Sequence, residues 1–135
     1  MSYFPNRQPL WFGNSSVAAS ADTRFLSFGF TIQIAPLVPN ATISVPLTGV
    51  LRNFRVRHNT AVGNGNPVVY DVVLGGVPQG LGLSLVTGAI GGASNLATII
   101  PVTLGQLLDI TATKALGIVN GGIDCTFQCD LFGVS

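Results

Sequence analysis

From Leu26 onward the chain is written in short runs that alternate apolar and polar side chains, each closed by glycine, proline or asparagine. Leu26, Phe28, Phe30, Ile32 and Ile34 alternate with Ser27, Gly29, Thr31 and Gln33, and Pro36, Pro39 and Asn40 end the run. A period of two sends successive side chains to opposite faces, which is the signature of a half-buried strand. Further runs follow at 41–45, 50–58, 68–74, 81–87, 96–102, 108–112 and 123–131. In the third, Phe54 and Val56 fall on one face and Asn53, Arg55 and Arg57 on the other. In the last, Ile123, Cys125, Phe127, Cys129 and Leu131 share a face that should be core. No segment sustains a helical period. The pattern predicts an all-β domain, an eight-stranded antiparallel jelly-roll sandwich over residues 21–135. An immunoglobulin-like sandwich is the competitor, but its Cys…Trp…Cys spacing is missing.

Residues 1–20 read differently. Pro5 and Pro9 interrupt a segment carrying Tyr3, Phe4, Trp11 and Phe12, and small polar residues follow from Asn14 to Ala21. Prolines bias such a stretch to an extended form. The expectation is an N-terminal arm outside the strand pattern. Its aromatics either fold back on their own domain or anchor on a neighbouring subunit, as aromatic side chains do at interfaces.

Charge narrows the functional classes. Of 135 residues only 8% are charged, with six basic and five acidic side chains, no Glu and Lys114 as the single lysine. A net charge of +1 excludes a strongly basic nucleic-acid binder. A mean hydropathy of +0.56 with so few charges favours a surface that associates with other copies. The uncharged stretch between Asp71 and Asp109 is long enough for a membrane span, but its glycines, Asn95 and Pro101 break it into strand-like pieces. The N-terminus has no apolar core of the kind a secretory signal needs.

Catalytic and metal-binding groups are scarce. The aspartates are scattered, and Asp124 and Asp130 on the last strand read as solvated polar positions. His58, the single histidine, lies beside Arg52, Arg55 and Arg57, and positive neighbours do not make it a base. No phosphate-loop spacing occurs among the glycines. No enzymatic activity, metal or cofactor is expected. The cluster Arg52, Arg55, Arg57 and His58 reads as a guarded strand edge, an ion-pair partner for another subunit, or a ligand grip. Cys125 and Cys129 on one strand would be ~13 Å apart, too far to bridge each other. They read as buried thiols or as bonds to another subunit.

Two longer stretches resemble a known family. Gly49 to Val77 runs as a strand, the loop Asn59-Thr60-Ala61-Val62-Gly63-Asn64-Gly65-Asn66, a second strand and a glycine turn. Val102 to Thr113 (VTLGQLLDITAT) is similar to a second segment of the same group. The group is the C-terminal head of collagen-like spore-surface glycoproteins, with related modules in spore appendage fibres and in phage tail and surface proteins. The resemblance spans about residues 25–132. It implies a jelly roll of the tumour-necrosis-factor/complement type that forms a homotrimer outside the cell. There is no Gly-X-Y stretch, and Gln106 stands where an acidic residue is common. That departure suits a stand-alone fibre subunit on the spore surface, its trimers joined head to tail through Tyr3, Phe4, Pro5, Pro9, Trp11 and Phe12, with an anchoring or tip protein as a further partner. The alternatives are a phage capsid decoration or tail protein on the virion, or a trimeric head that binds glycan or receptor through Arg52–His58.

Overall fold

The computed structural model describes residues 7–17, 23–25, 27–28, 42–58, 67–86, 91–114 and 123–133. The described chain is all-β. Its twelve strands are β1 (Arg7–Val17), β2 (Thr23–Phe25), β3 (Ser27–Phe28), β4 (Ile43–Ser44), β5 (Gly49–His58), β6 (Pro67–Leu74), β7 (Val77–Pro78), β8 (Leu83–Val86), β9 (Gly91–Asn95), β10 (Ile100–Val102), β11 (Leu107–Lys114) and β12 (Ile123–Gly133). They form two six-stranded antiparallel sheets. The first runs β10-β5-β12-β1-β3 with β9 also on β5, and the second β2-β11-β6-β7 with β4 on β11 and β8 on β6.

The count exceeds the eight expected because several edge positions are broken in two. β9 and β10 both pair with β5 on the side away from β12. Similarly, β7 and β8 share one edge of β6, and β2 and β4 share one edge of β11. Glycines interrupt the edge shared by β7 and β8. Gly80 and Gly82, both with positive φ, separate β7 from β8, a conformation that only glycine adopts without strain.

Alternation builds the core as the pattern requires. Leu51, Phe54, Val56 and His58 of β5 point inward with Cys125, Phe127, Cys129 and Leu131 of β12. Val68, Tyr70, Val72 and Leu74 of β6, with Leu108, Ile110 and Ala112 of β11, close the core from the other sheet. Phe127 is the hub, its ring centroid 6.4 Å from Phe12, 6.4 Å from Phe54 and 6.3 Å from Tyr70. Such offset and edge contacts each add about 1 kcal/mol beyond area burial.

Two expectations need correction. First, residues 7–17 are not an arm outside the strand pattern: they form β1, which lies between β12 and β3. Leu10 and Phe12 are buried at 1% exposure each, and Phe12 packs against Phe127 within the same chain. Burying two such side chains contributes roughly 1.5–3 kcal/mol each, far more than the proline bias opposes. Pro9 is tolerated because β3 meets β1 at Phe12 and Gly13, so Pro9 has a described strand neighbour on one side, Asp130 of β12. Tyr3, Phe4 and Pro5 lie outside the described residues. Second, residues 91–95, which fall between the expected strands 81–87 and 96–102, form β9, while 96–99, expected as strand, lie between β9 and β10. Gly92 suits its place because a Cβ there would stand 3.0 Å from the Val56 carbonyl oxygen.

Candidate functional site

The outward face of the first sheet carries a groove of about 510 Å³. It is built from two cross-strand rows. Trp11 of β1 stands opposite Gln128 of β12, Gln128 opposite Arg55 of β5, and Arg55 opposite Ser94 of β9. The second row runs Gly13, Thr126, Arg57, Gly92 on the same four strands. Side chains in register on one face of neighbouring strands stand about 5 Å apart, so four strands form one continuous floor. Glycine at the β9 end of the second row leaves that end open. Trp11 is 38% exposed beside it. Volumes of ~300–1,000 Å³ are typical of small-ligand sites.

The structure divides the basic cluster. Arg52, Arg55 and Arg57 are exposed, and Arg55 and Arg57 line the groove. His58 turns the other way and is fully buried, its Nε2 2.7 Å from the Tyr70 hydroxyl. Parity along β5 separates it from its neighbours. Tyr70 belongs to the opposite sheet, so the contact ties the two layers together. Burial first, then the charge of Cys125 and a hydrogen bond with it, push the Tyr70 phenol well above its ordinary value. His58 and Cys125 are themselves a cross-strand pair, so the three groups meet inside one end of the sandwich.

Asp130 overturns its reading as a solvated position, since it is 1% exposed. A bulge in β5 sets Asn53 and Phe54 together opposite Cys129, because the register shifts between Gln128 and Asp130. Asn53 adopts φ +58°, the left-handed region in which asparagine is the commonest side chain after glycine. There its amide donates to Asp130 Oδ2 at 3.0 Å, and Arg7 Nη2 donates to the same oxygen at 3.1 Å. The Asp124 side chain lies outside the described residues.

The other two described aspartates are structural in the same sense. Asp71 accepts from the backbone N–H of Val72, Gly80 and Leu81, fixing the chain from β6 to β8. Asp109 accepts from the Thr42 hydroxyl at 2.6 Å. Cys125 and Cys129 are buried thiols, not joined in a disulfide. Burial, then the charge of Asp130, pushes the Cys129 thiol up to about 12. Among the described residues no group of three His, Cys, Asp or Glu side chains could hold a metal ion. No helix among them is long and apolar enough to cross a membrane.

No protein-family model matches the chain, and no curated protein sequence matches it.

Proposed function

We propose that this chain is a non-enzymatic structural subunit: a jelly roll that associates as a homotrimer and stacks head to tail into a thin extracellular fibre, on a spore surface in the first instance. The observation that carries the reading is where its scarce ionisable groups go. Asp71, Asp109, Asp130 and His58 each tie one part of the fold to another. Acid–base catalysis needs such groups poised at an open cavity within reach of a substrate. Here they are spent on holding strands together.

Strand order supports the jelly roll. With the broken edges merged, the first sheet runs first, last, third, sixth, and the second runs second, seventh, fourth, fifth. An eight-stranded jelly roll winds in that order, and β3 falls outside it.

Exposed apolar side chains support association. Val77, Leu104 and Leu107 are 60%, 64% and 54% exposed. The Leu107 carbonyl accepts from Gly75 N–H, and Leu104 N–H donates to Thr48, so these residues gather where the turns at one end of the sandwich meet. Arg7 lies at this end too, through the row Arg7, Phe132, Val50, Pro101. The chain preceding Arg7 therefore joins the sandwich beside apolar surface that a neighbouring copy would cover.

Because Leu10 and Phe12 belong to the core, the connector is confined to residues 1–6, whose extended reach is ~20 Å. Negative-stain microscopy of the purified protein tests the reading. Intact chain is expected to form thin fibres, and chain lacking residues 1–6 to form discrete particles. Fibres of normal length from the truncated chain would refute the connector, and discrete particles from the intact chain would refute the fibre.

A further inference from the structure

We propose that the groove across β1, β12, β5 and β9 binds an acidic saccharide, with the Trp11 indole against a sugar ring and the Arg55 and Arg57 guanidinium groups on its anionic substituents. The inference does not depend on the fibre reading.

Arg55 and Arg57 sit two residues apart on β5, so their side chains leave one face of the strand about 7 Å apart. Both are exposed, and neither makes an ion pair or side-chain hydrogen bond among the described residues. Two parallel cations without a carboxylate beside them are a standing demand for an anion, because guanidinium groups bind carboxylate and sulfate bidentately. A second copy of this chain is poorly equipped to meet that demand. It has five acidic residues in all, and Asp71, Asp109 and Asp130 are committed within the fold. Covering unpaired arginines with another copy would bury uncompensated charge at a cost of several kcal/mol. The favoured occupant is an anion from outside.

The remaining lining selects a saccharide over a simple anion. Trp11 offers an amphipathic ring surface, which packs against the C–H face of a pyranose. Gln128 and Ser94 supply an amide and a hydroxyl along the floor, suited to sugar hydroxyls. Gly92 keeps the β9 end of the second row low, so an extended chain can enter the groove there. An open end, an aromatic flank and paired cations fit a uronate- or sulfate-bearing oligosaccharide.

Trp11 is the single tryptophan of the chain, so its fluorescence reports on the groove directly. The wild-type protein is titrated with an oligogalacturonate, a heparin-derived oligosaccharide, a neutral malto-oligosaccharide of similar length, and a polyglutamate peptide. A saturable change in Trp11 emission with at least one acidic saccharide, weakened by salt and absent with the neutral sugar, is expected. The pair Arg55→Gln and Arg57→Gln should weaken binding about tenfold or more, since each removes a charge-assisted contact. Arg52→Gln, exposed but off the groove, should bind as wild type. No saturable response to either acidic saccharide overturns the proposal, as does equal binding of polyglutamate or of the neutral sugar. Unchanged affinity in the double variant also overturns it. Should that variant fail to fold, the wild-type comparison of acidic with neutral sugar still decides.

Discussion

Two buried polar clusters sit along the same pair of strands, β5 and β12, and they are built on opposite principles. Toward one end, Asp130 is a carboxylate held by Asn53 and Arg7, all three supplied by the first sheet. Toward the other, His58, Tyr70 and Cys125 form a group in which Tyr70 reaches across from the second sheet. The charged cluster needs a backbone distortion, the left-handed Asn53, to bring its donor into place. It also needs a route to solvent, because Arg7 is 46% exposed. The His58 cluster fits regular strand geometry and is sealed. The carboxylate is thus held within one sheet, at a bulge in β5, whereas the His58–Tyr70 contact joins the two layers through the core.

That contrast is broken most forcefully at Asp130. Asp130→Ala removes the acceptor shared by Asn53 and Arg7 and leaves the bulge without its anchor. A loss of about 2–4 kcal/mol is expected, measured by denaturant unfolding. Tyr70→Phe should cost less, about 1–3 kcal/mol, because it deletes a hydroxyl that His58 meets at 2.7 Å while preserving the ring packing on Phe127. A thermal melt of the variant checks it, and an unchanged midpoint would show that the inter-sheet contact carries no stability.

Alkaline pH probes Cys129, the buried thiol beside Asp130. Cys129 ionises in the unfolded chain near 9 but in the fold at about 12. The unfolded state therefore releases a proton that the folded state keeps. Stability from this group is complete below pH 9 and falls through the window up to about 12, by ~1.4 kcal/mol per pH unit. Unfolding midpoints on either side of pH 9 measure the fall. At neutral pH the folded chain should react slowly with thiol reagents and quickly once unfolded. Arg7→Ala is the smallest effect. Its guanidinium is half in solvent, so the ion pair is screened and the loss should stay below about 1 kcal/mol. A loss as large as that of Asp130→Ala would mean that Arg7, and not Asn53, holds the carboxylate.

Alternation made β5, β11 and β12 legible, because residues of one parity carry the core, and the β-branched run Val68–Leu74 marked β6. It failed at β1, where Pro5, Pro9 and the adjacent Trp11 and Phe12 obscure the inward pair Leu10 and Phe12. It failed at β9, where Gly91 and Gly92 look like a turn, although Gly92 suits a strand that approaches the Val56 carbonyl closely. The inward turn of His58 was available from parity with Phe54 and Val56, yet the neighbouring arginines drew it into a surface cluster. The burial of Asp130 was not available, because it lies on the outward face of β12 and is covered there by Arg7 and by Asn53 of the β5 bulge, contacts that no local spacing records. The groove was hidden for a topological reason. Trp11, Gln128, Arg55 and Ser94 are neighbours because the N-terminal and C-terminal strands pair, and no local spacing records that pairing.

A self-associating structural subunit, as proposed for this chain, has a mass in solution that is a multiple of the single chain's. Light scattering or sedimentation of the chain lacking residues 1–6, in dilute buffer at micromolar concentration, should give the mass of three chains of 14.0 kDa less the deleted residues. A stable monomer under those conditions would contradict the account.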